Sequence, residues 1–194
     1  MFTDVCVPNG NEKEFIEIAE RLKTKSLLFI YEKNLPLQKE IEELKQSTKI
    51  NIQFGSKDKK IKGTSTIFAI GERKNVENKN IKFLYGFEEL ERKDSFHYKR
   101  SGVNQVIAKL LKKKEKVFVI DFERILKSKN ISSQLGRLKQ NLILAKKYDF
   151  EVMICSFATK PMNLRSELQL KSILKALNFL KSTNNSTLEQ TAYK

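Results

Sequence analysis

Arginine is scarce in this sequence, so its positions are informative about binding. The chain has 7 Arg and 31 Lys among 194 residues. A guanidinium presents a planar fork of donors that matches a phosphate group, and a Lys ammonium does not replace it. Three arginines have polar companions, which is typical of anion sites, although a surface ion pair is the alternative for any one of them. The three clusters are Lys99, Arg100, Ser101 and Asn104; Arg137, Lys139, Gln140 and Asn141; and Ser156, Lys160, Asn163 and Arg165.

The positive charge of the chain is concentrated in its second half. The formal net charge is +15, of which residues 1–97 contribute +2 (18 basic against 16 acidic) and residues 98–194 contribute +13 (20 basic against 7 acidic). This asymmetry indicates a surface that faces a polyanion. An AT-rich genome that favours Lys is the alternative, but such a bias is expected to load both halves alike.

A metal-dependent phosphoesterase is a second hypothesis. It requires several His and carboxylate ligands around one or two ions, and the sequence contains 1 His. Asp4, His97 and Asp121 form at most a sparse three-ligand site. Asp121 is equally suited to cap a helix that begins at Phe122.

Other catalytic motifs are missing from the sequence. Ser156 ends a predicted strand, but it belongs to no GxSxG motif and no second His exists for a triad. The 7 Gly form neither GxGxxG nor GxxxxGK followed by Ser or Thr, so a phosphate-binding loop is not supported. Anion recognition by the arginine clusters is therefore the best supported chemistry.

Short apolar runs recur along the chain and predict eight β-strands. Several runs are continuously apolar, as expected of strands that are buried on both faces of a parallel sheet. The predicted strands span residues 2–7, 26–31, 49–54, 65–70, 81–85, 96–98, 117–122 and 151–156.

Amphipathic stretches between these runs predict helices. Apolar residues recur at helical spacing, Pro36 opens the second helix, and Ser132 is the predicted N-cap of the fourth. Residues 71–95 show little helical periodicity beyond one turn at FEEL (87–90). The predicted helices span residues 12–23, 36–46, 103–113, 132–148 and 166–180.

Strands that alternate with helices predict an α/β fold, a closed TIM-like (β/α) barrel. With 194 residues the chain is short for this architecture, so some helices are expected to be short or missing. An open doubly wound sheet is the alternative. We expect a single barrel domain over residues 1–180 and a polar, flexible C-terminal tail over 181–194.

Cysteine usage and hydropathy indicate the compartment. Cys6 and Cys155 lie in apolar segments without CxxC spacing, so we expect two small buried hydrophobes. No apolar run approaches the ~20 residues that span a bilayer, and no signal peptide opens the chain. The sequence therefore predicts a cytoplasmic protein.

Three segments resemble the third protein component of archaeal ribonuclease P and its eukaryotic counterpart. They are KRSGVNQVIAKL (99–110), LGRLKQNLILAKKYDFEVMICSFA (135–158) and LRSELQL (164–170). The opening FTDVCVP (2–8) resembles the first strand of that family. The similarity extends over roughly residues 2–180, with 32–95 poorly matched.

The resemblance implies a short, partly irregular barrel that is related to the PHP (polymerase and histidinol phosphatase) type and lacks most of its metal ligands. It implies a subunit that binds the catalytic RNA and supports removal of the 5′ leader from precursor tRNA, with no catalytic residue, metal or cofactor of its own. Mg²⁺ is expected to serve the RNA of the holoenzyme. The expected protein partners are other ribonuclease P subunits, especially archaeal component two, and precursor tRNA is an indirect partner. The predicted RNA-binding residues are Lys99, Arg100, Ser101, Asn104, Arg137, Lys139, Gln140, Ser156, Lys160 and Arg165.

One position departs from the family pattern. Phe157 follows Ser156, where the family usually has a small residue. This bulky side chain puts close backbone approach in the following loop in doubt.

Overall fold

The protein is described by a computed structural model that covers residues 2–89, 94 and 99–179. The predicted strand 96–98, His97 and the predicted tail 181–194 lie outside the described residues.

The strands of the described residues form a single sheet in chain order, with β1–β2, β2–β3, β4–β5 and β5–β6 paired in parallel. Beyond the last strand, Ala158 forms a parallel bridge with Cys6 of the first, and the Val7 amide donates to the Ala158 carbonyl at 2.9 Å. The predicted α/β, TIM-like class is confirmed. The seven strands are β1 (Asp4–Cys6), β2 (Ser26–Tyr31), β3 (Asn51–Lys57), β4 (Thr66–Ile70), β5 (Phe83–Tyr85), β6 (Val117–Asp121) and β7 (Glu151–Cys155).

Helices separate most of these strands along the chain, and none intervenes between β3 and β4, in line with the expectation that some are missing. The FEEL turn is a 3₁₀ turn at Phe87–Glu89, and a second 3₁₀ turn spans Pro161–Asn163. The helices are α1 (Glu12–Arg21), α2 (Gln38–Gln46), α3 (Arg73–Glu77), α4 (Gln105–Lys113), α5 (Phe122–Leu126), α6 (Ile131–Tyr148) and α7 (Glu167–Ala176).

Two local predictions were wrong. Helix α3 was not predicted because it has only five residues, too few to show a helical period. Asn130, and not Ser132, caps α6, since its Oδ1 accepts the Ser133 amide at 3.1 Å. The helix therefore begins one residue earlier than predicted, and Ser132 lies in its first turn.

The described residues divide into two compact units. The first unit comprises the chain up to Ser65 together with the chain from Cys155 onward. Its core packs Phe15, Ile16 and Ala19 of α1 against β2, where the Phe15 and Phe29 rings meet edge-on with centroids 6.1 Å apart.

The second unit comprises Thr66–Ile154. Its core contains two stacked aromatic pairs, Phe68 with Phe83 at 4.8 Å and Phe87 with Phe118 at 5.3 Å between ring centroids. The second pair anchors the 3₁₀ turn that follows β5, and this turn supports the candidate site.

The burial of the cysteines and the hydropathy of the helices complete the description of the fold. Cys6 and Cys155 are both fully buried, as predicted. Within the described ranges, no helix has the length and apolar character needed to cross a membrane.

Candidate nucleic-acid interface

The ten predicted RNA-binding residues lie in three segments. Two belong to the second unit: residues 99–104, which lead into α4, and residues 137–140 on α6. The third, residues 156–165, follows β7 and belongs to the first unit. Loops that follow strands carry the functional residues in barrels of this type.

The segment before α4 is fixed by its polar side chains. Asn104 caps α4, because its Oδ1 accepts the Ile107 amide at 2.9 Å. Ser101 is buried, and its carbonyl accepts Nδ2 of the fully buried Asn141 at 2.8 Å. Ser101, Asn104 and Asn141 therefore shape this loop, while Lys99 and Arg100 are exposed.

Arg137 was predicted to contact RNA, but its side chain is buried. Its side chain is 9% exposed, and its Nε donates to Asp94 Oδ1 at 2.8 Å. Its Nη1 donates to the Glu88 main-chain carbonyl at 2.9 Å. The guanidinium therefore ties α6 to the 3₁₀ turn after β5 and to Asp94.

Asp94 is a site residue that the sequence analysis missed. Besides Arg137, it accepts the Arg100 amide at 2.9 Å on Oδ1 and the Ser133 hydroxyl at 3.3 Å on Oδ2. Desolvation raises the pKa of Asp94, but the hydrogen bonds from Arg100, Arg137 and Ser133 outweigh it and hold this pKa below its usual range. In the sequence it is one of several acidic residues in the mixed-charge segment EELERKD (88–94), with nothing to distinguish it from the others.

The exposed part of α6 carries the remaining candidates of the second unit. Lys139 is exposed and Gln140 is half-buried. The Lys99 side chain crosses α6 at Gly136, where an added Cβ would lie 2.9 Å from Lys99 Cε. Since Gly136 and Lys139 are one helical turn apart, Lys99 and Lys139 lie on the same exposed part of α6, and Arg100 is exposed in the adjoining loop.

In the first unit, Ser156 links Asp4 to Arg165 through hydrogen bonds inside the protein. It is fully buried, its amide donates to Asp4 Oδ1 at 2.7 Å, and its Oγ accepts the Arg165 amide at 3.0 Å. The Arg165 Nη1 donates to the carbonyls of Met162 and Leu164 at 3.1 and 2.8 Å. Lys160 is exposed and Arg165 half-buried, so both charges lie at the surface of the loop.

Phe157 adopts a left-handed backbone conformation with φ of 49° and is 2% exposed. Such a conformation costs on the order of 1–3 kcal/mol for a non-glycine residue, and here the buried ring anchors the loop in compensation. Phe157, the residue that departs from the family pattern, therefore has a strained backbone and a buried side chain that anchors the loop.

Asp4 is fully buried, and burial raises its pKa to about 6, against hydrogen bonds from the Ser156 and Val5 amides that lower it. Its Oδ2 has no hydrogen-bond partner among the described residues.

Asp121 caps α5, accepting the Arg124 amide at 2.9 Å, as the helix-cap alternative for this residue predicted. Within residues 2–89, 94 and 99–179, no group of three His, Cys, Asp or Glu side chains is arranged to hold a metal ion.

Glu88 is a second residue that sequence analysis missed. Its side chain is almost fully buried, and neither carboxylate oxygen has a hydrogen-bond partner in the described part of the chain. Burial is the main cause that raises the pKa of Glu88 to about 7, and the nearby Glu89 and Asp121 carboxylates add to it. No sequence pattern distinguished it from other acidic residues.

Comparison with known proteins gives a similarity of fold. No protein-family model matches this chain, and no curated protein sequence matches it. The structure is similar to a chain in the cryo-EM structure of archaeal ribonuclease P with mature tRNA, with a TM-score of 0.75 and 23% identity. The similarity covers 91% of this chain and 82% of that chain, and it shows a shared fold.

Proposed function

We propose that this chain is a protein subunit of ribonuclease P that corresponds to archaeal component three. In this role it binds the catalytic RNA and a partner protein, component two in archaea, and supports removal of the 5′ leader from precursor tRNA. The observation that carries the proposal is the fold similarity, over 91% of the chain, to a chain in an archaeal ribonuclease P structure. The sequence motifs at 99–110, 135–158 and 164–170 point to the same family.

The ten candidate residues have two roles in this proposal. The first group reaches the surface and contacts RNA phosphates: Lys99, Arg100, Lys139, Lys160 and Arg165. The second group belongs to the segments that carry the first: Ser101, Arg137 and Ser156 are buried, Asn104 caps α4, and Gln140 is half-buried on α6. Phosphate contacts set the position of an RNA on a protein and dominate its affinity, which suits a scaffold for a catalytic RNA.

The chemistry of the proposed complex belongs to its RNA, and Mg²⁺ serves that RNA. In the chain itself, the buried carboxylates Asp4 and Asp121 bind main-chain amides of their own unit. No specific observation favours the phosphoesterase alternative. Phosphatase or nuclease activity of the pure protein that a chelator abolishes would support that alternative instead.

Reconstitution tests the proposal. Ribonuclease P RNA and precursor tRNA are combined with the partner proteins, with and without this chain, and 5′-leader cleavage is measured. We expect the chain to raise the cleavage rate or to lower the Mg²⁺ concentration that is required. Equal cleavage with and without the chain would contradict the proposal.

A salt titration tests the assigned surface. The triple variant Lys99→Ala, Arg100→Ala, Lys139→Ala removes three exposed positive charges of the second unit. We expect the slope of log affinity for the RNA against log salt to fall by roughly 2, at ~0.7–0.9 per neutralised phosphate.

A matched control removes the same charge elsewhere. Lys23, Lys25 and Lys49 are exposed and lie in loops that precede strands, whereas functional loops of a barrel follow strands. Their replacement by Ala is expected to change the slope by less than ~1. An equal change in both triple variants would show that net charge, and not the assigned surface, controls RNA binding.

A further inference from the structure

Three hydrogen-bond donors of the second unit converge on one carboxylate. Asp94 accepts the Arg137 Nε at 2.8 Å and the Arg100 main-chain amide at 2.9 Å, both on Oδ1. Its Oδ2 accepts the Ser133 hydroxyl at 3.3 Å. These three groups are called the Asp94 donor set below.

The Asp94 donor set has the composition of a phosphate site. A guanidinium, a main-chain amide and a hydroxyl are the groups that proteins most often present to phosphate oxygens. A phosphodiester, like a carboxylate, carries a single negative charge over two unshared oxygens, so it is able to accept from the same three donors.

Two of the three donors are held in place independently of Asp94. The Arg137 guanidinium is also bound to the Glu88 carbonyl at 2.9 Å, and Ser133 lies in the first turn of the 18-residue helix α6. Arg137 is 9% exposed, whereas the Asp94 side chain is 26% exposed. The carboxylate therefore lies between a fixed, buried cation and the solvent.

We infer that Asp94 occupies a phosphate-binding site of this protein, and that a phosphate group of a polyanionic ligand displaces it on binding. The identification of that ligand as RNA rests on the proposed function; the anion site itself does not. Until the ligand arrives, Asp94 compensates the buried charge of Arg137, which would otherwise be costly.

This arrangement selects for polyanions. A carboxylate on the same chain has an effective concentration in the millimolar range or above. Free phosphate at similar concentrations therefore competes poorly with it, while a nucleic acid that also contacts the exposed Lys99, Arg100 and Lys139 gains the affinity to displace it.

The first test uses inorganic phosphate and thermal unfolding. Wild type, Asp94→Asn and Asp149→Asn are compared in phosphate and in chloride at equal ionic strength. Asp149 is the matched control: it lies at the C-terminus of α6 with φ of 55°, which Asn tolerates, and its side chain is 89% exposed. Both substitutions raise the net charge by one.

The D94N variant is expected to gain stability from phosphate. Saturation to about ten times the Kd adds ~1.4 kcal/mol, which raises Tm by roughly 3 °C in a chain of this size. Wild type and D149N are expected to show less than a third of this rise. A second substitution, Arg137→Gln in the D94N background, is expected to abolish it.

Equal phosphate responses in D94N and D149N would overturn the inference, and so would a response in wild type as large as that in D94N. Asp94→Ala is a control for the amide group that Asn introduces, because Ala has no polar side-chain atoms at this position. Its phosphate response must match that of D94N for the inference to stand.

The second test measures affinity for ribonuclease P RNA. We expect D94N to bind at least roughly 3-fold more tightly than D149N, because no carboxylate has to be displaced. A phosphate response in D94N together with equal RNA affinities would retain the anion site but contradict RNA binding at this surface. Weaker RNA binding by D94N without a phosphate response would show that Asp94 is a structural tether and would overturn the inference.

Discussion

Gly102 packs directly against the main-chain carbonyl of Phe87. A Cβ atom at Gly102 would lie 2.6 Å from the Phe87 carbonyl carbon and 3.1 Å from its Cα, and the φ of Gly102 is 79°. Both the space and the backbone conformation therefore require glycine. This contact seats the loop of Lys99, Arg100 and Asn104 on the 3₁₀ turn after β5.

Gly102→Ala is expected to destabilise the protein by at least ~3 kcal/mol, since left-handed strain and overlap with a main-chain carbonyl act together. Gly10→Ala is the matched control, because Gly10 has φ of 77° but no atom within 4 Å of an added Cβ. Its expected cost is ~1–2 kcal/mol. Urea denaturation measures both, and equal costs would show that the Phe87 contact relaxes without penalty.

Arg137 and Lys139 are expected to differ in their contribution to stability. Arg137→Ala removes one of the three donors to Asp94 together with the donor to the Glu88 carbonyl, and it is expected to lower the free energy of unfolding by ~3 kcal/mol. Lys139→Ala, at an exposed position, is expected to change it by less than ~0.5 kcal/mol and to lower the salt slope of RNA binding by ~0.7–0.9. A fully stable R137A protein would contradict the positioning role of Arg137.

Asn104 tests whether a helix cap also contacts RNA. Asn104→Ala removes the acceptor for the Ile107 amide and is expected to cost ~1 kcal/mol, while Asn104→Ser keeps a capping oxygen and is expected to cost little. If Asn104 only positions the loop, RNA affinity falls in the Ala variant and not in the Ser variant. An equal loss of affinity in both would indicate direct contact.

Glu88 is expected to make stability depend on pH. Burial raises the pKa of Glu88 from 4.5 to about 7, so folding takes up a proton between these values, and stability declines as the pH rises through this window. Glu88→Gln removes the penalty of the buried charge and is expected to stabilise the protein by on the order of 2 kcal/mol at pH 8 and by little at pH 5. Urea denaturation across this range measures the difference.

Glu89→Gln is the companion variant in the same turn. The Glu89 carboxylate accepts from Arg124 at 2.5 Å and from Gln134 at 3.1 Å, so its neutralisation is expected to destabilise the protein at pH 8. A stabilisation of similar size in both variants at pH 8 would refute the specific role of the Glu88 charge.

Most of the fold was predictable because its signals are local. The continuous apolar run of β2 and the helical period of α4 each lie within one segment, and both elements were predicted within two residues of their bounds. Short elements carry too few residues for a period, so α3 was missed, and the start of α5 was indicated only by the capping residue Asp121. The N-cap of α6 was misplaced because Asn130 and Ser132 are both good capping residues, and only the backbone geometry selects between them.

The sequence by itself determined the α/β class, the alternation of strands with helices and the basic second half of the chain, since periodicity and charge are properties of neighbouring residues. It also indicated the three arginine clusters. Only the tertiary structure decided which of their members are exposed: Arg137 meets Asp94 across 43 residues of sequence and is buried, whereas Lys99 and Lys139 remain at the surface. Contacts over such a separation depend on how helices and turns pack, and no local pattern encodes them.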